Sequence, residues 1–210
     1  MNEQPQNQDL DLIFVIDKSG SMWGSEEDTM GGFNSFIEKE RNKGFNTKVT
    51  TVLFDDRYDL LYERKPIEDV SPLTSKEYCV GGTTALLDAI GKTITSLNHK
   101  IDNNVLFVVM TDGKENSSIE YSKSQIKSMI GNHNWEFIFL GADIDSYSEA
   151  GAIGFKKSRI ANHRKSKESL GDVYYSLGRA TDHMRVSKNL DAINWKEDLE
   201  KYDCLFFIFR

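Results

Sequence analysis

Asp11 to Ser21 reads DLIFVIDKSGS, and this stretch decides how the rest of the chain is read. Five apolar residues, Leu12 to Ile16, end abruptly in an acid, Asp17, and two hydroxyls follow at alternate positions, Ser19 and Ser21, with Gly20 between them. A continuous apolar run bounded by turn residues is the pattern of a strand covered on both faces. The polar residues then lie just past its carboxyl end, where open parallel sheets place their ligand crevices. One carboxylate and two hydroxyls on a tight loop form an oxygen-only donor set suited to Mg²⁺, Mn²⁺ or Ca²⁺. A capping turn, with Ser19 or Ser21 starting the next helix, fits the same letters. The stretch alone leaves both readings open.

Two later stretches bear on the choice. Gly81-Gly82-Thr83-Thr84 places hydroxyls on a glycine-rich turn directly before a helical apolar pattern. Val105 to Met110 is a second buried-strand run and ends in another polar turn, Thr111-Asp112-Gly113. The order DxSxS, then GGT, then TDG after a strand resembles the von Willebrand factor A domain family. The resemblance runs from about Leu10 to about Leu140 and extends toward Val186. It implies a metal-ion-dependent adhesion site made by Asp17, Ser19 and Ser21 from the first loop, Thr83 from the second and Asp112 from the third. The DxSGSM form, Asp17 to Met22, is similar to intracellular and bacterial members of the family rather than to integrins. The resemblance thus implies a bacterial or phage-related setting and binding of a protein partner that offers an acidic residue to the metal.

Size and composition set outer limits. A chain of 210 residues suits one large α/β domain, long enough to bury about 70% of its unfolded surface without disulfide staples. Cys79 and Cys204 have no metal-site or framework spacing, as expected in a reducing compartment. No signal segment opens the chain, and no apolar run approaches the ~20 residues that span a bilayer. A net charge of −7 argues against nucleic acid as the main partner. These features lead to the expectation of a cytoplasmic protein with no membrane span.

The expected fold is a doubly wound α/β domain, a mainly parallel sheet with one antiparallel edge strand and helices on both faces. Residues 1–8 are polar and expected to be disordered, residues 9–186 form the domain, and 187–210 form a carboxyl-terminal extension. A helix is expected from Glu26, with Met30, Phe33, Phe36 and Ile37 on its apolar face and Gly44 past its end. Lys48–Phe54 and Tyr58–Glu63 flank a turn so short that they must pair antiparallel, with Asp55 and Asp56 read as turn formers. A second helix is expected over Thr84–His99. A third is expected from a capping box at Ser117 and Glu120, with Ile119, Ile126, Met129 and Ile130 facing inward. A strand is expected over Trp135–Leu140, a short helix over Ile144–Gly151 and a short strand over Ser158–Ala161. A last amphipathic helix carries Leu170, Val173, Tyr174, Leu177 and Met184. His163, Arg164, Lys165 and Lys167 read as a solvated approach to that helix, and Leu205–Phe209 as an apolar segment that must pack or associate.

Enzyme readings are weaker. A metal-dependent phosphatase or phosphotransferase of the haloacid dehalogenase type also places an Asp after its first strand, but requires a second acid two positions on, where this chain has Ser19. No phosphate-binding GxxxxGK[ST] loop and no GxSxG elbow follows the first strand. The four histidines, His99, His133, His163 and His183, lie away from the three loops in sequence. A non-catalytic binding module is therefore expected.

Overall fold

The computed structural model describes residues 8–101, 104–142, 144–164 and 166–200. Residues 1–7 and the Leu205–Phe209 segment, about which the sequence raised expectations, lie outside them. Six strands form one sheet in the order β3-β2-β1-β4-β5-β6. They are β1 (Leu10–Asp17), β2 (Thr47–Phe54), β3 (Tyr58–Pro66), β4 (Asn104–Thr111), β5 (Glu136–Ala142) and β6 (Ile160–His163). All neighbours run parallel except β2 and β3, which form the expected antiparallel edge hairpin.

The alternation along β1 explains why two helical layers are needed. Leu10, Leu12, Phe14 and Ile16 point into one apolar cluster, and Ile13 and Val15 into a second on the opposite face. The first cluster is closed by α1 (Glu26–Asn42) and α5 (Lys167–Ser187), the second by α2 (Leu86–Leu97), α3 (Lys123–Gly131) and α4 (Ser146–Ala152). Phe14 meets Phe33 and Phe36 of α1 edge-on, with ring centroids 5.3 and 5.6 Å apart, a favoured aromatic geometry. After β1 the chain moves outward to β2 and β3, then returns to the other side of β1 as β4. The strand order therefore reverses between β1 and β4, and a crevice at their carboxyl ends follows from that topology.

Several local expectations need correction. The capping box is at Ser122 and Gln125, one turn later than Ser117 and Glu120, and α3 begins at Lys123. Ser117 and Ser118 are instead held by the Glu115 carboxylate, so Ile119 precedes the helix and is 91% exposed rather than facing inward. His163 is not a solvated approach residue, because it ends β6 and is buried. Asp55 is both a turn former and a buried charge. It accepts the Arg57 N–H at 2.7 Å, the Arg57 guanidinium at 2.9 Å and the Lys18 ammonium at 2.7 Å. Burial pushes its carboxyl up, but the hydrogen bonds from Arg57 and Lys18 outweigh that and hold it at about 2.

Residues beyond α5 return to the body. Leu190, Trp195 and Leu199 are buried in the α1/α5 cluster. The Trp195 indole donates to the Ser158 carbonyl at 2.9 Å and Lys196 Nζ to the Ile160 carbonyl at 2.7 Å. These bonds tie the segment beyond α5 to the start of β6 and the turn before it.

Under α1 and α5 lies a buried ion pair, Glu40 and Arg185, 3.1 Å apart and each no more than 2% exposed. Glu40 also accepts from Thr181 at 3.0 Å, and Arg185 donates to Thr47 at 2.9 Å. Removing one partner strands the other charge in the core. Glu40→Ala is expected to lower the unfolding free energy by about 3–5 kcal/mol. Replacing both (Glu40→Leu with Arg185→Met) should cost much less. Urea titrations of the two variants check this.

Candidate metal centre

Each of the three loops comes off an element that fixes its position. The first leaves β1 at Asp17, whose carboxylate is fully buried. The Ser19 N–H donates to Asp17 Oδ1 at 2.6 Å and the Thr111 hydroxyl to Oδ2 at 2.5 Å. The Asp17 carboxyl is raised to about 6, because burial pushes it up more than the bonds from Thr111 and Ser19 pull it down, and the nearby charge of Asp112 adds to the rise. The second carboxylate is thus close enough to be felt electrostatically, and Asp112 is itself buried.

The second loop is stitched to the first through its backbone. The Gly81 N–H donates to the Lys18 carbonyl at 2.9 Å, and the Gly20 N–H to the Gly82 carbonyl at 3.1 Å. Gly82 takes φ +74°, a left-handed conformation that costs glycine nothing sterically. A Cβ there would also lie 2.3 Å from Asp56 Oδ1. The Lys18 side chain is buried and held by Asp55 at 2.7 Å and Asp59 at 3.2 Å, so its charge is spent on the hairpin rather than offered to the crevice. The Asp55 carbonyl accepts the Ala85 N–H at 2.9 Å, tying the same hairpin to the start of α2.

The third loop is zipped to the second by Asn116, whose side-chain oxygen accepts the Thr84 N–H at 2.9 Å while its own N–H donates to the Thr84 carbonyl at 3.1 Å. Glu115 accepts the Leu87 N–H at 2.9 Å, and Asp88 accepts from the N–H groups of Ile119, Glu120 and Tyr121 at 2.9–3.0 Å. Two carboxylates thereby sit at the amino end of α2, where the helix dipole favours negative charge.

Of the five residues expected to bind metal, the structure brings together Asp17, Ser19, Ser21 and Asp112. Thr83 is exposed. With the turn fixed at Gly82 and the Thr84 backbone clamped by Asn116, it is the Thr84 side chain that enters the site, where its hydroxyl donates to Ser19 Oγ at 3.0 Å. Ser19 Oγ is in turn 3.0 Å from Ser21 Oγ. Gly113 completes the cradle, since a Cβ at that position would lie 2.6 Å from Thr84 Oγ1, 3.0 Å from Ser21 Oγ and 3.2 Å from Asp17 Oδ2. Oxygens from the first two loops therefore converge on one small volume beside the Gly113 backbone of the third.

That donor set fits a hard divalent cation. Among the described residues no group of three or more His, Cys, Asp or Glu gathers in one place. The donors here are hydroxyls and two carboxylates, which suit Mg²⁺ or Mn²⁺. His163 is closer to the site than its place in the sequence indicated. With Thr111, Asp112 and Met22 it lines a cavity of about 20 Å³. Thr84, Thr111, Glu115 and Asn116 were missed by sequence reasoning. Thr84 was signalled only by standing next to Thr83, and the other three by their nearness to Asp112.

No protein-family model matches the chain, and no curated protein matches it. Solved structures do match. Proximal thread matrix protein 1 from the mussel byssus is similar with a TM-score of 0.64 and 17% identity, over 82% of this chain and 46% of that one. A further structure of that mussel protein has a zinc-occupied metal-ion-dependent adhesion site motif. The ArnB paralog VWA2 of Sulfolobus acidocaldarius matches with a TM-score of 0.57 and 18% identity, over 77% of this chain and 43% of that one. A von Willebrand factor type A protein from Catenulispora acidiphila matches at 0.58 and 14%, over 81% and 42%. The chain spans less than half the length of these three proteins. No described helix is long and apolar enough to cross a membrane. The sheet order, the two helical layers and these likenesses agree that the chain has the von Willebrand factor A fold.

Proposed function

We propose that the chain is a divalent-cation-dependent protein-binding module whose metal takes an acidic residue of a partner as its last ligand. The observation that carries this reading is the convergence of Asp17, Ser21 and Thr84 oxygens beside Gly113. Ser19, Ser21 and Thr84 are neutral donors, so Asp17 and Asp112 supply the only side-chain anions of the set. A cation held this way keeps part of its charge and, as Mg²⁺ does readily, part of its water shell. A carboxylate from a partner completes both coordination and charge. The chain carries −7 overall and repels acidic partners at long range, so attraction at this face is local to the cation. That the mussel protein can hold zinc in its corresponding motif supports a metal here without fixing which one. We also place the module in the cytoplasm, on its cysteine usage, and regard it as non-catalytic. Lys18 of the first loop is committed to Asp55 and Asp59, and the Asp17+2 position that a phosphatase would fill with an acid is Ser19.

Three outcomes are expected. In Mg²⁺ or Mn²⁺ calorimetry, Asp17→Ala and Thr84→Val should each weaken binding by more than the ~10–100-fold typical of losing an outer-shell partner. Thr83→Val should leave it unchanged, and equal loss from Thr83→Val and Thr84→Val would contradict the ligand assignment. No metal-dependent hydrolysis of a generic phosphoester is expected; turnover that disappears in Asp17→Asn would instead establish the phosphatase reading. Any partner retained on the immobilised chain in Mg²⁺ should be released by chelator and not retained by Asp112→Ala, whereas retention in excess chelator would move the interface elsewhere.

A further inference from the structure

Two large apolar side chains stand in solvent at the carboxyl end of the sheet. Trp23 is 77% exposed and Ile119 is 91% exposed. Neither hangs from a loose strand of chain. Trp23 closes the short 3-10 turn Gly20–Met22, its N–H directed at the Gly20 carbonyl, while its neighbour Met22 is buried. Ile119 sits at the crest of a loop fastened on both sides. Its own N–H donates to Asp88 Oδ2 at 3.0 Å, the next two N–H groups donate to Asp88 Oδ1 at 2.9 Å, and Ser117 and Ser118 are held by Glu115 at 3.0 and 2.7 Å. Those bonds fix the backbone so that the side chain faces water.

Their placement relative to the hydroxyl–carboxylate cluster follows from the fold. Trp23 leads into α1, which covers the Phe14 face of the sheet, whereas Ile119 is pinned to α2, which covers the opposite face. The cluster lies between the two helical layers, at the ends of β1 and β4. Trp23 and Ile119 therefore bracket it, one on each side.

Building on the metal-dependent reading above, we propose that Trp23 and Ile119 are paired apolar anchors for the partner, which is a short acidic segment with large apolar residues on both sides of its acid. An ion contact is worth little in water and much more where water is excluded. Apolar contacts flanking the carboxylate supply that exclusion, as the rim of neutral contacts does around interface hot spots. Because the backbone that carries each anchor is already held, little main-chain freedom is lost on binding. Tryptophan is among the residues most often found to dominate binding energy.

Short random peptides with one fixed central Asp, displayed on phage, test this directly. They are selected on the immobilised full chain in Mg²⁺ and eluted with chelator. The eluted sequences should carry large apolar residues on both sides of the acid. The strongest, resynthesised as a free peptide, should bind roughly 30-fold more weakly to Trp23→Ala and about 5-fold more weakly to Ile119→Ser. Mg²⁺ affinity and thermal midpoint should stay at the wild-type values in both variants. Peptides without apolar flanks, no chelator-eluted peptide at all, or wild-type binding of the selected peptide by both variants would each overturn the assignment. Absence of Mg²⁺ binding by the wild-type chain in calorimetry would contradict the metal centre itself. With Mg²⁺ binding intact, unflanked peptides or wild-type binding by both variants contradict only the anchors, whereas no chelator-eluted peptide at all contradicts the acidic-ligand reading as well.

Discussion

The Asp17 carboxylate is buried at the end of a strand that has helices on both faces and a parallel neighbour on each side. A carboxylate in that position is costly unless its oxygens are bonded. The loop geometry at this end of the sheet can be read as the means of bonding them. Oδ1 takes the Ser19 N–H, which curls the first loop back over the strand end. Oδ2 takes the Thr111 hydroxyl, which binds the end of β4 to the end of β1. The same two contacts bring the Asp112 turn and the serine hydroxyls to one place.

Around this centre the chain uses polar staples rather than apolar packing. Asn116 clamps the Thr84 backbone, Glu115 and Asp88 hold the loop between β4 and α3 against the start of α2, and Lys18 with Asp55 anchors the underside. A single helix terminus could have been capped by one residue. Here several staples converge, and the result is a rigid rim around a small oxygen-lined volume. Such a rim suits a cation, because hydroxyl ligands bind well only when they are held in place before the ion arrives. It also keeps Trp23 and Ile119 outside the core.

The architecture was legible because it rests on strong, local patterns. The runs at Leu12–Ile16 and Val105–Met110 could hardly be anything but strands buried on both faces, and the three-residue Asp55–Arg57 link allows only an antiparallel hairpin. What sequence could not resolve was side-chain direction within turns. Thr83 and Thr84 are chemically alike and adjacent; only the Asn116 clamp and the Gly82 conformation decide which hydroxyl turns inward. Ser117 and Glu120 match a capping-box pattern, but Glu115 takes the Ser117 N–H and Asp88 the Glu120 N–H, and the helix starts at Lys123. Ile119 consequently leaves the apolar stripe on which helical spacing had placed it. His163 was misjudged because the short strand expected over Ser158–Ala161 runs two residues further, to His163. Asp55 is the turn former expected, but nothing local reveals that Lys18, 37 positions away, is also its partner.

The central claim is that Asp17, Ser19, Ser21, Thr84 and Asp112 hold one divalent cation beside the Gly113 backbone. Anomalous diffraction from crystals grown in Mn²⁺ tests it most directly, because the signal marks the metal itself and not a consequence of binding. The account predicts one strong peak in the crevice between β1 and β4, in contact with the Ser21 and Thr84 hydroxyls and with Thr83 outside its coordination sphere. A crevice without a peak, or a peak coordinated by Thr83 in place of Thr84, would contradict it.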